Sequence, residues 1–223
     1  MDALTVTYTY YDNLDALKYL IDYHEKASID GITYQVIDDG SQVRPLSLID
    51  IPSTWRLTRI TEDIGWNAEG ARNLAMHITD TEWNALTDMD TPIMNEGLVK
   101  IMDMDLDPNK GYQPRRWPDG KFKNSWVITK DLYNRAGGYD ETFTGLYGYD
   151  FTFKPAMRKA GGEWAELEDV FMFTIGGGSG GAWKNRDTKR RSNEEYRELV
   201  EKLANGEAEY TDERLRFPWQ TLR

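Results

Sequence analysis

The first apolar run, Leu4-Thr5-Val6-Thr7-Tyr8-Thr9-Tyr10-Tyr11, concentrates β-branched and aromatic residues and predicts a strand. Asp12-Asn13 then offers a helix cap. Leu14, Leu17, Leu20 and Ile21 recur at helical spacing through about Lys26. After Gly31 the pattern returns to a strand over Ile32–Ile37, ended by Asp38-Asp39-Gly40-Ser41. Strand, helix, strand in so short a length is a βαβ unit, so the two strands should be parallel. Ligands of such sheets bind beyond the C-terminal ends of the strands. Thr9 to Tyr11 and Asp38 to Ser41 both fall there.

The same reading carries on along the chain. Residues 42–54, with Pro45 and Pro52, read as irregular, with a short helix or strand at Leu46 to Ile51. Trp55–Ile60 alternates like a strand, Gly65-Trp66-Asn67 is a turn, and Ala68–Ile78 is a helix with Ala71, Leu74, Ala75 and Ile78 on its apolar side. A strand over Trp83–Thr87 ends in Asp88-Met89-Asp90. Pro92 then suits the first turn of a helix reaching about Met102. Asp103–Gly120, with Pro108, Pro114 and Pro118, reads as a loop with some extended structure. Phe122–Ile128 is a strand, and Thr129 caps a short helix, Lys130–Ala136, closed by Gly137-Gly138. Asp150 opens a further helical pattern to Lys159, which Pro155 strains and would limit to its first turn. Trp164–Ile175 gives one or two strands, Gly176–Gly181 a loop, Ser192–Ala204 a charged helix, and Tyr210–Arg223 a tail without a clear period. With no internal repeat and no clean linker, a single α/β domain over 1–223 is expected. Its core spans about 4–175, followed by a glycine-rich loop, a helix and a tail over 176–223.

Charge and composition narrow the classes of function. There are 27 basic residues against 38 acidic, a net charge of −11. That opposes general nucleic-acid binding, which depends on Lys and Arg displacing counterions. The chain has no cysteine, so it has neither a disulfide framework nor a cysteine-zinc site. Met1-Asp2-Ala3-Leu4 begins neither a basic n-region nor a long apolar stretch, and no run reaches the length of a membrane span. A soluble, cytoplasmic protein is expected. The two histidines, His24 and His77, are too few for a histidine-rich metal site and read as ordinary helical residues.

The chemistry lies in Asp88 and Asp90. If both lie on one strand, they share a face just past its C-terminal end. Two carboxylates that close repel unless a positive charge lies between them. A hard divalent cation that also binds phosphate oxygens suits the place.

Four features in order then resemble the GT-A glycosyltransferases, most closely the family 2-like nucleotide-sugar transferases. They are Thr9-Tyr10-Tyr11-Asp12-Asn13, Val36-Ile37-Asp38-Asp39-Gly40-Ser41, Gly65 with Gly70-Ala71-Arg72-Asn73-Leu74-Ala75, and Leu86-Thr87-Asp88-Met89-Asp90. The resemblance covers roughly residues 4–160. It implies a three-layer α/β fold with a mostly parallel central sheet. It also implies transfer of a sugar from a nucleotide-diphosphate donor, UDP-linked by preference, to a hydroxyl acceptor with inversion. By the same resemblance, Thr9 and Tyr11 would hold the base through backbone groups and Asp39 would accept a base N–H. Arg72 would lie near the base and phosphates. Asp88 would be shared between ribose and metal, and Asp90 would bind Mn²⁺ or Mg²⁺ directly. Asp150, after the aromatic-glycine stretch Gly145-Leu146-Tyr147-Gly148-Tyr149, aligns with the catalytic base. Asn73 is expected to fix local backbone, and Asp140 to serve its turn.

Beyond Gly176–Gly181, Lys184 and Arg186 would reach the diphosphate and Trp183 would cover the sugar. Trp117, Tyr139, Phe143, Tyr147 and Tyr149 include candidates for an acceptor platform as well as core residues. The chain departs from the family pattern twice. Tyr149 stands where relatives commonly have Glu, and no histidine follows His77 to serve as a late metal ligand. Two other readings stay open. One is a non-catalytic nucleotide- or sugar-binding module. The other is a nucleotidyltransferase, whose Gly-rich phosphate loop is not found in Thr9–Leu14.

Overall fold

A computed structural model describes residues 1–118, 125–148, 150–175, 189–190, 192–205, 207 and 213–223. In chain order the strands and helices are β1 (Leu4–Tyr10), α1 (Leu14–Glu25), β2 (Ile32–Asp39), β3 (Arg56–Ile60), α2 (Ala68–Ile78), β4 (Trp83–Asp88), α3 (Asn95–Asp103), β5 (Lys110–Arg116), β6 (Trp126–Thr129), α4 (Lys130–Arg135), β7 (Leu146–Tyr147), α5 (Phe153–Lys159), β8 (Glu163–Met172), β9 (Lys189–Arg190), α6 (Asn193–Asn205) and β10 (Trp219–Thr221). Eight strands form one sheet in the order β10-β3-β2-β1-β4-β6-β5-β8. Strands β3, β2, β1 and β4 are mutually parallel, and β6 and β10 run antiparallel to their neighbours β4 and β3. Because β5 is antiparallel to β6 and parallel to β8, both of those strands again end at the same edge as β4.

Alternation along the strands fills two apolar layers. Leu4, Val6, Tyr8 and Tyr10 of β1 join Leu17 and Leu20 of α1 and Leu98 and Ile101 of α3 on one face. Ile37, Ile60, Leu86 and Ile128 meet Leu74 of α2, Leu132 of α4 and Met157 of α5 on the other. Helix–sheet–helix layering follows from strands that are apolar on both faces, which have to be covered twice.

Local chemistry sets the helix starts. Asn13 accepts the Ala16 N–H at 3.3 Å and caps α1, and Thr129 accepts the Leu132 N–H at 3.2 Å and caps α4. Ser192 and Glu195 exchange bonds in a capping box ahead of α6. Pro155 lies in the first turn of α5, after a single helical turn at Asp150–Thr152.

Three expectations are corrected. The helix after Asp90 starts at Asn95, not Pro92, because residues 90–94 run alongside the chain leaving β8. Met94 N–H donates to the Phe171 carbonyl, Phe173 N–H to Pro92 and Ile175 N–H to Asp90. The proline-bearing stretch at 103–120 contains a strand, β5, inside the sheet. Its pairing with β8 shifts between Pro114 and Arg115, so the residue without an N–H sits at the irregularity. The tail supplies β10, which covers the edge of β3, and Arg223 bonds the Ile51 and Trp55 carbonyls.

His24 is a core residue. It is fully buried, 2.7 Å from the Tyr8 hydroxyl on one ring nitrogen and 2.7 Å from Asn95 Oδ1 on the other, and it stacks on Tyr34. Burial pulls its pKa down to about 4. The unfolded chain therefore binds more protons between about pH 4 and 6.5. The stability this histidine contributes is complete above about pH 6.5 and drains away as pH falls toward 4. Burial of Asp38 shifts its carboxyl upward, which acts in the opposite sense. The expected result is that His24→Gln flattens the rise of the unfolding midpoint between pH 4.5 and 6.5 relative to wild type, read by thermal melts across that range.

Candidate functional site

The ends of β1, β2 and β4 lie side by side. Thr9 pairs with Ile37 of β2 on one flank and with Asp88 of β4 on the other. Asp39 and Asp88 are the last residues of their strands. One further correction arises here. Asp88 closes β4, but Asp90 lies in a tight turn, sealed by the Thr91 N–H on the Asp88 carbonyl at 3.0 Å. The turn leaves both aspartates partly exposed while Met89 between them is buried in the core.

Arg72 reaches this edge from α2. Its Nη2 lies 2.5 Å from Asp88 Oδ1, and its guanidinium sits 5.5 Å from the centre of the Tyr139 ring. The pair is lopsided: the arginine side chain is 3% exposed and the aspartate 42%. Arg72 is buried because α2 is covered twice, by the sheet beneath and by the returning chain above. Asn73 Oδ1 accepts the Tyr139 N–H at 2.8 Å and the Tyr133 hydroxyl at 2.6 Å, and its Nδ2 donates to Glu141 at 2.7 Å. Glu141 in turn accepts the Leu215 and Arg216 N–H groups. Asn73 is thus taken up by the backbone of the Gly137-Gly138-Tyr139 turn.

The start of α2 is close-packed in a way that demands glycine. A Cβ on Gly70 would lie 2.2 Å from Asn67 Oδ1 and 2.7 Å from the Phe217 ring. Alanine in a helix ordinarily gains about 1 kcal/mol over glycine. Gly70→Ala is expected to lower the melting temperature instead, because Asn67 and Phe217 are both buried and have little room to move.

The Asp38-Asp39 pair divides its work. Asp38 is fully buried and accepts the Ser41 and Leu46 N–H groups at 2.8 and 2.9 Å, with Arg59 Nε at 3.5 Å, so it shapes the loop. Asp39, also buried, accepts the Asn67 N–H at 3.3 Å at the start of α2, where the helix presents partial positive charge. Gly40 has φ of 79°, and a Cβ there would come within 2.5 Å of the Glu62 carbonyl oxygen. Asp12 has a role that its local sequence does not disclose. At φ of 45°, its carboxylate gathers the N–H groups of Gln42, Val43 and Arg44 and pins the β2–β3 loop over the end of β1. The Tyr11 hydroxyl donates to Asp63 at 2.7 Å, so the groups Tyr11 offers a ligand are those of its main chain.

A second wall faces these strand ends. Gly145 N–H donates to the Trp66 carbonyl at 2.6 Å, Thr144 Oγ1 to Asn67 Oδ1 at 3.1 Å, and the Trp66 ring meets Tyr147 edge-on at 4.8 Å. The segment leading to Asp150 is thereby held against the loop that starts α2. Asp150 opens the helical turn that follows, and its side chain lies outside what the structure describes. Asp140 accepts the Thr142 N–H at 2.9 Å and serves as a cap. Trp183, Lys184 and Arg186 lie outside the described residues. Both described ends of that stretch attach at this rim: Ile175 N–H at 2.9 Å from the Asp90 carbonyl, and Lys189–Arg190 paired with Leu146–Tyr147.

Among the described residues, no three or more acidic or histidine side chains are grouped so as to hold a metal ion by themselves. Asp88 and Asp90 nevertheless supply the hard oxygen donors that Mn²⁺ and Mg²⁺ take. With Asp88 drawn toward Arg72, a cation there would rest on Asp90 and on oxygens brought by a ligand.

Comparisons with known proteins bear on the fold. No protein-family model matches the chain, and no curated protein matches it in sequence. Solved structures do. The catalytic domain of Drosophila β1,4-galactosyltransferase 7, in a complex with xylobiose, superposes with a TM-score of 0.60 at 11% identity, covering 90% of this chain and 80% of that one. A mannosyltransferase from Pyrobaculum calidifontis, in complex with GDP-Man and Mn²⁺, gives 0.59 at 17% identity over 76% of this chain and 56% of its own. TarS from S. aureus gives 0.59 at 13% identity over 77% of this chain and 36% of its own. The chain thus spans about half and about a third of the lengths of these last two. All three are GT-A-type glycosyltransferases, and this chain, with its mostly parallel sheet between two helical layers, has the GT-A fold.

Proposed function

We propose that the protein transfers a sugar from a nucleotide-diphosphate donor, a UDP-sugar first, to a hydroxyl acceptor with inversion at the transferred carbon. One observation carries the reading: the ends of β1, β2 and β4 bring Thr9, Asp39 and Asp88 to a single edge, where Arg72 grips Asp88 at 2.5 Å. A base lies by Thr9 and the main chain of Tyr11, with an N–H to Asp39. The ribose and diphosphate extend toward Arg72, Asp88 and Asp90. Mn²⁺ or Mg²⁺, when bound at Asp90, neutralises the leaving diphosphate. Asp150 takes the proton from the acceptor hydroxyl as that oxygen attacks the sugar carbon and the diphosphate leaves. Lys184 and Arg186 are proposed to add positive charge at the diphosphate. The structural relatives support a sugar nucleotide as donor, since one was solved with GDP-Man and Mn²⁺ and another with UDP-Gal and manganese.

The test is nucleotide release. The protein is incubated with UDP-, GDP- and dTDP-sugars with Mn²⁺ and a mixed saccharide acceptor pool. The expected result is release of the nucleoside diphosphate with stoichiometric product, UDP donors leading. Binding of a nucleotide without any release, across all donors, would favour a non-catalytic binding module.

A further inference from the structure

Among the described residues, Trp117 is the largest exposed aromatic side chain at the sheet edge that carries the site. It follows β5 by one residue, 58% of it is exposed, and its ring meets Phe171 edge-on at 5.8 Å. Strand β5 ends at the same edge as β4, two strands away, so Trp117 stands at the sheet edge where the Asp90 turn also lies. The backbone link is short. Trp117 N–H donates to the Met172 carbonyl at 2.8 Å, Met172 bridges to Ile93, and Ile93 follows Asp90 by three residues. Two strand spacings, about 10 Å, therefore separate Trp117 from the chain leaving that turn.

The face matters as much as the edge. Val170 and Met172 are buried in the layer of α1 and α3, so the alternate residue Phe171 points to the layer of α2 and α5. Trp117, touching Phe171, lies on that second face. The turn opened by Asp150 leads directly into α5, which packs there. Here the backbone is fixed by a hydrogen bond to Met172 while most of the residue stays exposed.

Resting on the transferase reading above, we infer that Trp117, backed by Phe171, is the acceptor subsite, and that its ligand is a pyranose ring. The C–H face of a pyranose is apolar with slightly positive hydrogens and suits the negative face of an indole. Its hydroxyl rim stays in water. An amine or a flexible lipid tail presents no such flat apolar face with a polar rim.

The experiment follows the indole N–H signals in ¹H–¹⁵N NMR, with Trp117→Phe assigning the Trp117 peak. The probes are xylobiose, lactose, cellobiose and maltose, each to 50 mM, with UDP and Mn²⁺ present. At least one saccharide is expected to shift the Trp117 peak saturably. Trp117→Ala should weaken that saccharide's binding at least tenfold while UDP still raises the melting temperature as in wild type. No saturable shift from any of the four, or equal saccharide affinity in Trp117→Ala, overturns the subsite. A normal UDP response beside such a failure sinks the subsite alone. A missing UDP response with an intact saccharide shift sinks the donor reading and leaves Trp117 as a saccharide site.

Discussion

Asp150→Asn lowers the rate of glycosyl transfer by about 10²–10⁴-fold, the span typical of losing a positioned general base, while leaving nucleotide affinity and the melting temperature close to wild type. The amide keeps the size and the hydrogen-bonding capacity of the carboxylate but no longer accepts a proton at neutral pH. The helical turn it opens is independently held, because Gly145 and Thr144 before it bond to the Trp66–Asn67 loop and Phe153 after it is buried in the core. The substitution therefore isolates the proton transfer. Initial rates together with calorimetric UDP titrations check it. Full activity in the variant would remove Asp150 from the mechanism and return attention to the Tyr149 position, where relatives commonly carry Glu.

The second large effect is an asymmetry between the two halves of one ion pair. Asp88→Ala is expected to destabilise the fold more than Arg72→Met, although both remove the same 2.5 Å contact. Deleting Asp88 takes the shortest partner from a guanidinium that water barely reaches. Removing one partner of a buried ion pair costs roughly 3–5 kcal/mol, and the contacts to the Tyr139 ring and hydroxyl, at 5.5 and 3.5 Å, are longer than the one lost. Deleting Arg72 leaves a half-exposed carboxylate that water solvates, and methionine fills most of the space. Both variants should lose donor binding. Chemical denaturation of the two side by side gives the comparison, and an Arg72→Met variant that is the less stable would contradict the assignment of the burial cost to the arginine.

The pattern that made the fold legible is local. Strand, helix and strand over residues 4–39, then helix α2 and strand β4, follow from periodicity and caps that act within a few residues. What was hidden depends on partners far along the chain. β5 carries Pro114, which argues against an interior strand until the shifted pairing with β8 is seen. β10 has no period of its own because it completes an edge prepared by β3. Pro92 looks like a helix start, yet hydrogen bonds with the chain leaving β8 keep residues 90–94 out of a helix.

The candidate site was legible in its residue types and less so in its geometry. Thr9, Asp39 and Asp88 converge because parallel strands in register end together. Asp88 and Asp90 share no strand, since a turn intervenes. The roles of Asp12 and His24 were out of reach of the sequence for the same reason. One gathers amides thirty and more residues away, and the other meets Asn95 from a different helix.

The most direct test of the central claim is a calorimetric titration of UDP into the protein with Mn²⁺, with EDTA, and with Mn²⁺ in Asp90→Ala. Saturable binding with Mn²⁺ that falls at least tenfold in both of the other conditions is the result expected of a metal–diphosphate site on the Asp88–Asp90 turn. Equal UDP affinity in all three, or no UDP binding by the wild-type protein, would contradict it.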